Sequence, residues 1–75
     1  MRRRARICYE PDGDEWCVDL GQRRYGLHCG ECFTLYVGNK AYECRLELDT
    51  DWYVLMQDTK FVLHRRTVYA IGIDA

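Results

Sequence analysis

The chain has 75 residues, a length at which a single hydrophobic core is only just large enough to stabilise one domain. Hydrophobic residues make up 48% of it, which excludes a disordered chain, and an aromatic content of 13% favours strands over a small helical bundle. The formal net charge of −1 excludes a global attraction to nucleic acid, and so small a domain leaves little room for a catalytic pocket beside its core. We therefore expect one non-enzymatic domain over residues 1–75, without catalytic residues.

The chain begins with a basic arm at residues 1–6, whose flexibility is left open. Ile7, Cys8 and Tyr9 follow this arm directly and lead into a polar turn, so the apolar core of a signal peptide is missing. No stretch approaches the length of a membrane span, and no membrane partner is expected. The expected location is the cytoplasm, where the five cysteines are free thiols rather than a disulfide framework.

Short apolar runs separated by turn residues predict an all-β fold. The first strand is expected at residues 6–10, followed by a turn at residues 11–14, a second strand at residues 16–20 and a polar loop at residues 21–26. Closure into a small antiparallel β-barrel, SH3-like or similar, of roughly five to seven short strands would remove exposed sheet edges.

The strongest local prediction is a β-hairpin around Gly38 and Asn39. Apolar and polar residues alternate on both sides of this pair, and Gly-Asn is typical of a two-residue turn. A turn of this length brings both apolar sets to one face of the hairpin. The predicted pairs are Val37 with Lys40, Leu35 with Tyr42, Phe33 with Cys44 and Cys32 with Arg45.

The strand that begins at Trp52 has two possible registers. A three-residue loop before it turns Trp52, Val54 and Met56 towards the core, whereas a two-residue loop turns Tyr53 and Leu55 there. One or two further strands are expected within residues 61–64 and 68–73.

Cys29 and Cys32 form a Cys-x-x-Cys motif that suggests a metal site. A structural zinc ion needs two more ligands, and the sequence has no second such motif. The hairpin register also turns Cys32 away from the face that carries Cys44, which splits the would-be cluster. We expect no metal and no cofactor, with a zinc-stabilised domain as an alternative. A thioredoxin-type redox pair is disfavoured because the motif leads into a strand rather than a helix.

Aromatic and basic residues supply the best candidate for a binding surface. Small barrels bind single-stranded nucleic acid through such residues, and they bind peptides through exposed aromatics and sheet edges. The alternative is that some of the aromatic residues are core. The candidate binding residues are Arg23, Arg24, Tyr25, Tyr36, Trp52, Tyr53, Arg65 and Arg66.

A family resemblance rests on the middle of the chain. Leu27 to Glu31 open a strand, a Gly-centred hairpin follows, and Arg45-Leu46-Glu47 and Trp52-Tyr53 come after it. In these features, over residues 26–55, the chain resembles a family of small bacterial proteins known as domain of unknown function 5348. The resemblance implies a compact β-domain often encoded near mobile elements, with no established activity. It also implies that Gly30 permits a backbone bend and that Glu31 bonds nearby amides.

The expected function is that of a small binding module. The leading hypothesis is a protein-interaction module, an accessory or inhibitor protein of a bacterial mobile element. The alternative is a nucleic-acid-binding β-barrel that uses the arginine clusters, Arg2 to Arg6 included, and exposed aromatics. A homodimer is also compatible with so small a barrel, because a spare sheet edge can pair with a second copy.

Overall fold

The computed structural model describes residues 2–74, apart from the side chain of Arg2, and these residues form eight β-strands. Within this range there is no helix long and apolar enough to cross a membrane. Residues 2–6 of the basic arm belong to the first strand, and Met1 lies outside the described residues. The strands are β1 (Arg2–Glu10), β2 (Glu15–Asp19), β3 (Arg24–Gly26), β4 (Cys32–Val37), β5 (Lys40–Leu48), β6 (Trp52–Met56), β7 (Thr59–Val62) and β8 (Tyr69–Asp74).

All eight strands belong to one antiparallel sheet in the order β3-β2-β1-β8-β4-β5-β6-β7. The all-β antiparallel fold is confirmed. Closure into an SH3-like barrel is not confirmed, because β3 and β7 are the two edges and no pairing joins them within the described residues. The number of strands exceeds the predicted five to seven because Arg24–Gly26, predicted as part of a loop, pairs with β2.

The predicted hairpin register is confirmed between β4 and β5. Val37 pairs with Lys40, and the pairing continues without a slip to Cys32 opposite Arg45. Gly38 has a φ of +62°, the left-handed conformation that a two-residue hairpin turn requires and that glycine adopts without steric cost. Alternation along both strands together with this turn is therefore sufficient to specify the register.

The structure resolves the ambiguous register of β6. Leu48 pairs with Trp52, so that residues 49–51 form a three-residue loop. Trp52 and Val54 are buried, whereas Tyr53 lies on the opposite face of the sheet. The register that buries Trp52 and Val54, rather than Tyr53 and Leu55, is the one that removes the larger apolar area from water.

One hydrophobic core lies on the concave side of the sheet, which we call the inner face; the opposite side is the outer face. The sheet curls strongly, because Phe61 of β7 and Tyr69 of β8 meet with ring centroids 6.2 Å apart although three strands separate β7 from β8. The two halves of the sheet, β1 to β3 on one side of β8 and β4 to β7 on the other, therefore contribute to the same core. Its buried hydrophobic residues are Ile7, Trp16, Val18, Leu27, Phe33, Leu35, Cys44, Leu46, Trp52, Val54, Leu63 and Ile71.

The turn between β1 and β2 ties the two halves together at one end. Asp14, with a φ of +48°, accepts hydrogen bonds from the Tyr9 hydroxyl and from the indole N–H of Trp52, the latter at 3.2 Å. These bonds, the Tyr9 bond first, lower the pKa of Asp14 below its ordinary value. We call this arrangement of Tyr9, Asp14 and Trp52 the Asp14 clasp.

Candidate binding face

Arginines from two separate segments converge beside the start of β1. Strand β1 supplies three of them, and the loop after β2 together with β3 supplies the other two. The register brings Arg6 opposite Asp19 and Asp19 opposite Arg24, so the three side chains share one row of the outer face. Arg3 and Arg23 instead border a recess beside Leu20 at the margin of the sheet, since Arg3 alternates with Arg4 and therefore has inner-face parity. The basic face consists of the exposed residues Arg4, Arg6 and Arg24 on the outer face, with the exposed residues Arg3 and Arg23 at its margin.

Asp19 organises the basic face without neutralising it. Its carboxylate accepts a hydrogen bond from the Gly21 amide at 2.8 Å and lies 3.6 Å from the guanidinium of Arg24. The amide of Gly21, followed by the charges of Arg24 and Arg6, lowers the pKa of Asp19, so this group stays ionised at neutral pH. The last residue of β8, Asp74, brings a second acid to the margin of the face. These two acids, set against five exposed arginines on the face and at its margin, leave a local excess of positive charge.

A stacked arginine–tyrosine pair lies at the centre of the outer face. The guanidinium of Arg4 lies over the ring of Tyr36, 4.2 Å from its centroid. These residues belong to β1 and β4, which are separated by β8. Arg4 pairs with Gly72, and Tyr36 pairs with Ala70, so the intervening strand carries only small side chains at this point. The small residues let Arg4 reach across β8 and place a planar cation on an aromatic ring.

The other predicted aromatic residues lie elsewhere. Tyr25 is 39% exposed beside Arg24, but it pairs with Val18 and therefore belongs to the inner-face set of positions. Tyr53 is half-buried on the outer face of β6, where the ammonium of Lys60 lies 4.3 Å from its ring centroid. Trp52 is only 6% exposed and belongs to the core, so its ring offers no surface for stacking.

The predicted basic pair Arg65 and Arg66 is separate from the basic face. Both residues lie in the turn between β7 and β8, and the guanidinium of Arg65 lies 5.2 Å from the ring centroid of Tyr9. Arg65 also lies close enough to Asp14 to contribute to the lowering of its pKa. Arg65 therefore supports the Asp14 clasp, while Arg66 is exposed.

The Cys-x-x-Cys motif forms an exposed turn before β4. Gly30 has a φ of +92°, and Glu31 accepts a hydrogen bond of 2.6 Å from the amide of His28, so the bend and the bond implied by the family resemblance are confirmed. Cys29 and Cys32 are both exposed. Across residues 2–74, no three side chains of His, Cys, Asp or Glu lie close enough together to hold a metal ion.

Cys44 lies in the core, as the hairpin register predicts, and on the face opposite Cys32. Its thiol donates to the carbonyl of Phe33 at 3.5 Å, and burial raises its pKa to about 12. A thiol of this kind stays protonated at neutral pH and behaves as a small apolar residue. The geometry therefore keeps Cys44 away from any chemistry of the Cys-x-x-Cys motif.

An apolar recess lies at the end of the inner face opposite the Asp14 clasp. It has a volume of about 330 Å³, and Val37 and Tyr42 in its wall are 48% and 37% exposed. Periodicity assigns these residues to the core face, but the sheet opens here and leaves them uncovered. The recess is lined by Val37, Tyr42, Met56, Gln57, Thr59 and Phe61.

Sequence reasoning does not reveal the pairing of Arg4 with Tyr36. The two residues are adjacent only because β8 runs between β1 and β4, and no local pattern specifies that order. The small residues Ala70 and Gly72 were the available signal, since they interrupt an otherwise bulky strand. The sequence predicts Asp14 only as a turn residue, because its partner Trp52 is distant in the sequence.

The comparisons agree with this description of the fold. The chain is similar to a protein from Ruminococcus gnavus whose crystal structure is known: the TM-score is 0.73 with 27% sequence identity, covering 95% of this chain and 100% of that one. No curated protein matches. The family model described as a domain of unknown function, DUF5348, matches residues 5–73, nearly the whole chain. The chain therefore belongs to the DUF5348 family.

Proposed function

We propose that the protein is a non-enzymatic binding module whose basic face takes single-stranded nucleic acid. The observation that carries the proposal is the segregation of charge: three exposed arginines share one end of the outer face and two more lie at its margin, in a molecule with a formal net charge of −1. Along β1 the charge changes from the arginines at its start to Glu10 at its end. Such a local field attracts a polyanion although the whole molecule does not.

Single strands fit this face better than a duplex does. Residues 2–74 form no helix that could enter a major groove. The pair of Arg4 over Tyr36 instead offers a planar surface on which an unpaired base can stack, with the neighbouring arginines placed to contact phosphates. Readout of this kind tolerates many sequences, because every base has an aromatic face.

Fluorescence anisotropy with labelled oligothymidine and oligouridine tests the proposal over a range of salt concentrations. With four phosphate contacts, from the arginines other than Arg4, the logarithm of the association constant should fall with the logarithm of salt concentration with a slope of about −3. The double variant Arg4→Ala/Arg6→Ala should bind more weakly and reduce the magnitude of that slope by about 0.7, because Arg6 contacts phosphate whereas Arg4 stacks on a base. Arg66→Ala is the matched control, since this arginine is exposed but lies outside the basic face.

Three results would argue against a nucleic-acid ligand. One is the absence of binding at low salt, and another is binding that does not depend on salt. The third is an equal loss of affinity for Arg66→Ala and for an Arg4→Ala single variant. Preference for a duplex of the same length would contradict the stacking role given to Arg4 and Tyr36.

A second candidate function is binding of a partner protein through the apolar recess. The specific observation is that Val37 and Tyr42 are large residues of the inner face left partly uncovered. A partner's aliphatic or aromatic side chain would bury them. Under this hypothesis, the variant Tyr42→Ser loses a partner captured from cells of the source organism, whereas Arg4→Ala keeps it. Retention of that partner by Tyr42→Ser would refute this role of the recess.

The biological setting is also a proposal. We infer a bacterial, cytoplasmic protein that serves a mobile element as an accessory or inhibitor, on the strength of the family. Either ligand is compatible with this setting. Identification of the nucleic acid or protein that co-purifies with the wild-type chain, but not with the matched variants, would choose between them.

A further inference from the structure

Cys8 and Cys17 face each other across neighbouring strands. They are directly paired in the register of β1 and β2, and in an antiparallel pair such residues project from the same face. Both side chains are half-buried on the outer face, and both are free thiols. Burial raises the pKa of Cys17, and the carboxylate of Glu15 and the thiol of Cys8 add to this effect, as expected for sulfur atoms that lie close together.

The backbone bonds of β2 show which kind of pair this is. The amide of Leu20 donates to the carbonyl of Arg23, and the amide of Leu27 donates to the carbonyl of Trp16. Trp16 and Leu20 therefore direct their backbone groups towards β3. Because these directions alternate along a strand, Cys17 directs its own groups towards β1 and forms a hydrogen-bonded pair with Cys8. In such a pair the Cα atoms are about 5.5 Å apart, within the range that disulfides span.

We propose that Cys8 and Cys17 form a reversible cross-strand disulfide by exchange with a small-molecule disulfide of the glutathione type. One cysteine thiolate attacks the small disulfide, forms a mixed disulfide and releases one small thiol. The second cysteine loses its proton, attacks the protein sulfur of the mixed disulfide and releases the other small thiol. Two protein thiols are thereby oxidised to one disulfide, and one small disulfide is reduced to two thiols.

The geometry accounts for both the choice of pair and its reversibility. Among the strand pairings of residues 2–74, only Cys8 and Cys17 place one cysteine opposite another. The Cβ atoms of a hydrogen-bonded pair stand farther apart than those of a relaxed disulfide, so closing the bond draws β1 and β2 together. A disulfide strained in this way is more easily reduced than a typical structural one.

Thiol trapping of the full chain tests the proposal. The protein is equilibrated in buffers of varied oxidised to reduced glutathione ratio, quenched with acid, alkylated with a maleimide and digested with trypsin. Cys8 and Cys17 lie on one tryptic peptide, residues 7–23, whereas Cys29 and Cys32 lie on residues 25–40 and Cys44 lies on residues 41–45. We expect peptide 7–23 to lose both maleimides and the mass of two hydrogen atoms as the buffer becomes oxidising. Reduced and oxidised starting material should reach the same ratio.

Two variants provide the controls. The double variant Cys29→Ser/Cys32→Ser should keep the oxidised form of peptide 7–23, and Cys8→Ser should abolish it. Because the disulfide is detected on peptide 7–23 of the wild-type chain, the test does not depend on whether Cys8→Ser folds. Three outcomes would overturn the proposal: two maleimides on peptide 7–23 in every buffer, a stable glutathione adduct on it, or a disulfide between two chains.

Discussion

Replacing Leu46 by alanine tests the inner face of the sheet, and Leu48 provides a matched control on the same strand. Both residues project to the inner face of β5, but Leu46 is 0% exposed and Leu48 is 46% exposed. Truncation of a fully buried leucine costs about 2–5 kcal/mol, because a cavity adds to the lost transfer free energy. Truncation of the half-exposed Leu48 should cost about 1 kcal/mol, since a leucine side chain gains about 1.5–3 kcal/mol on complete burial.

The consequence is large for so small a protein. At about 0.05–0.15 kcal/mol per residue, the free energy of unfolding of the whole domain is about 4–11 kcal/mol. Leu46→Ala should therefore remove a large part of it, and urea unfolding followed by circular dichroism and tryptophan fluorescence measures the loss. Equal losses for the two variants, or a larger loss for Leu48→Ala, would refute the assignment of Leu46 to the core. A change in the urea dependence would indicate an altered unfolded state instead.

Three further outcomes are expected. The lowered pKa of Asp14 means that its charged form stabilises the fold above the ordinary carboxyl value of 3.8 and that this contribution is lost as pH falls below it. Asp14→Asn should thus flatten the acid limb of a thermal stability profile, and an unchanged limb would contradict the Asp14 clasp. Cys44 should resist a maleimide in the folded protein while Cys29 and Cys32 react, as read by mass spectrometry before and after unfolding in urea; rapid labelling of Cys44 would place it outside the core. Gly38→Ala should cost about 1–2 kcal/mol in the free energy of unfolding, because φ is positive there and no atom crowds the added Cβ; a neutral result would show that the turn relaxes.

Sequence reasoning succeeds here where the information is local. The pairs of the β4–β5 hairpin follow from alternation and a two-residue turn, and the structure matches them residue for residue. The register of β6 depends on loop length, which the sequence leaves open, and burial of Trp52 decides it. The placement of β8 between β1 and β4 cannot be read from any local pattern, because it joins segments distant in the sequence. For the same reason, local patterns do not determine whether the sheet closes into a barrel.

The same contrast between local patterns and long-range strand pairing applies to the candidate site. The sequence identifies Arg23 and Arg24 as a basic cluster, but the position of Arg24 in one row with Arg6 depends on the pairing of three strands. Trp52 and Tyr53 are adjacent in the sequence and point to opposite faces, so only Tyr53 is left on the surface. Residue type alone therefore identifies the kinds of side chain in a binding face, and topology decides which of them meet.

The position of β8 has a consequence for how the protein folds. Strand β8 pairs with β1 on one side and with β4 on the other, and Arg2 meets Asp74 across nearly the full length of the chain. Before β8 docks, the chain consists of two blocks, β1 to β3 and β4 to β7, each with an unpaired edge. Closing so long a loop is slow, and unpaired edges are the places where chains aggregate. We therefore expect β8 to dock late in folding, and substitutions in β8 should affect the yield of folded protein more than equally buried substitutions within either block.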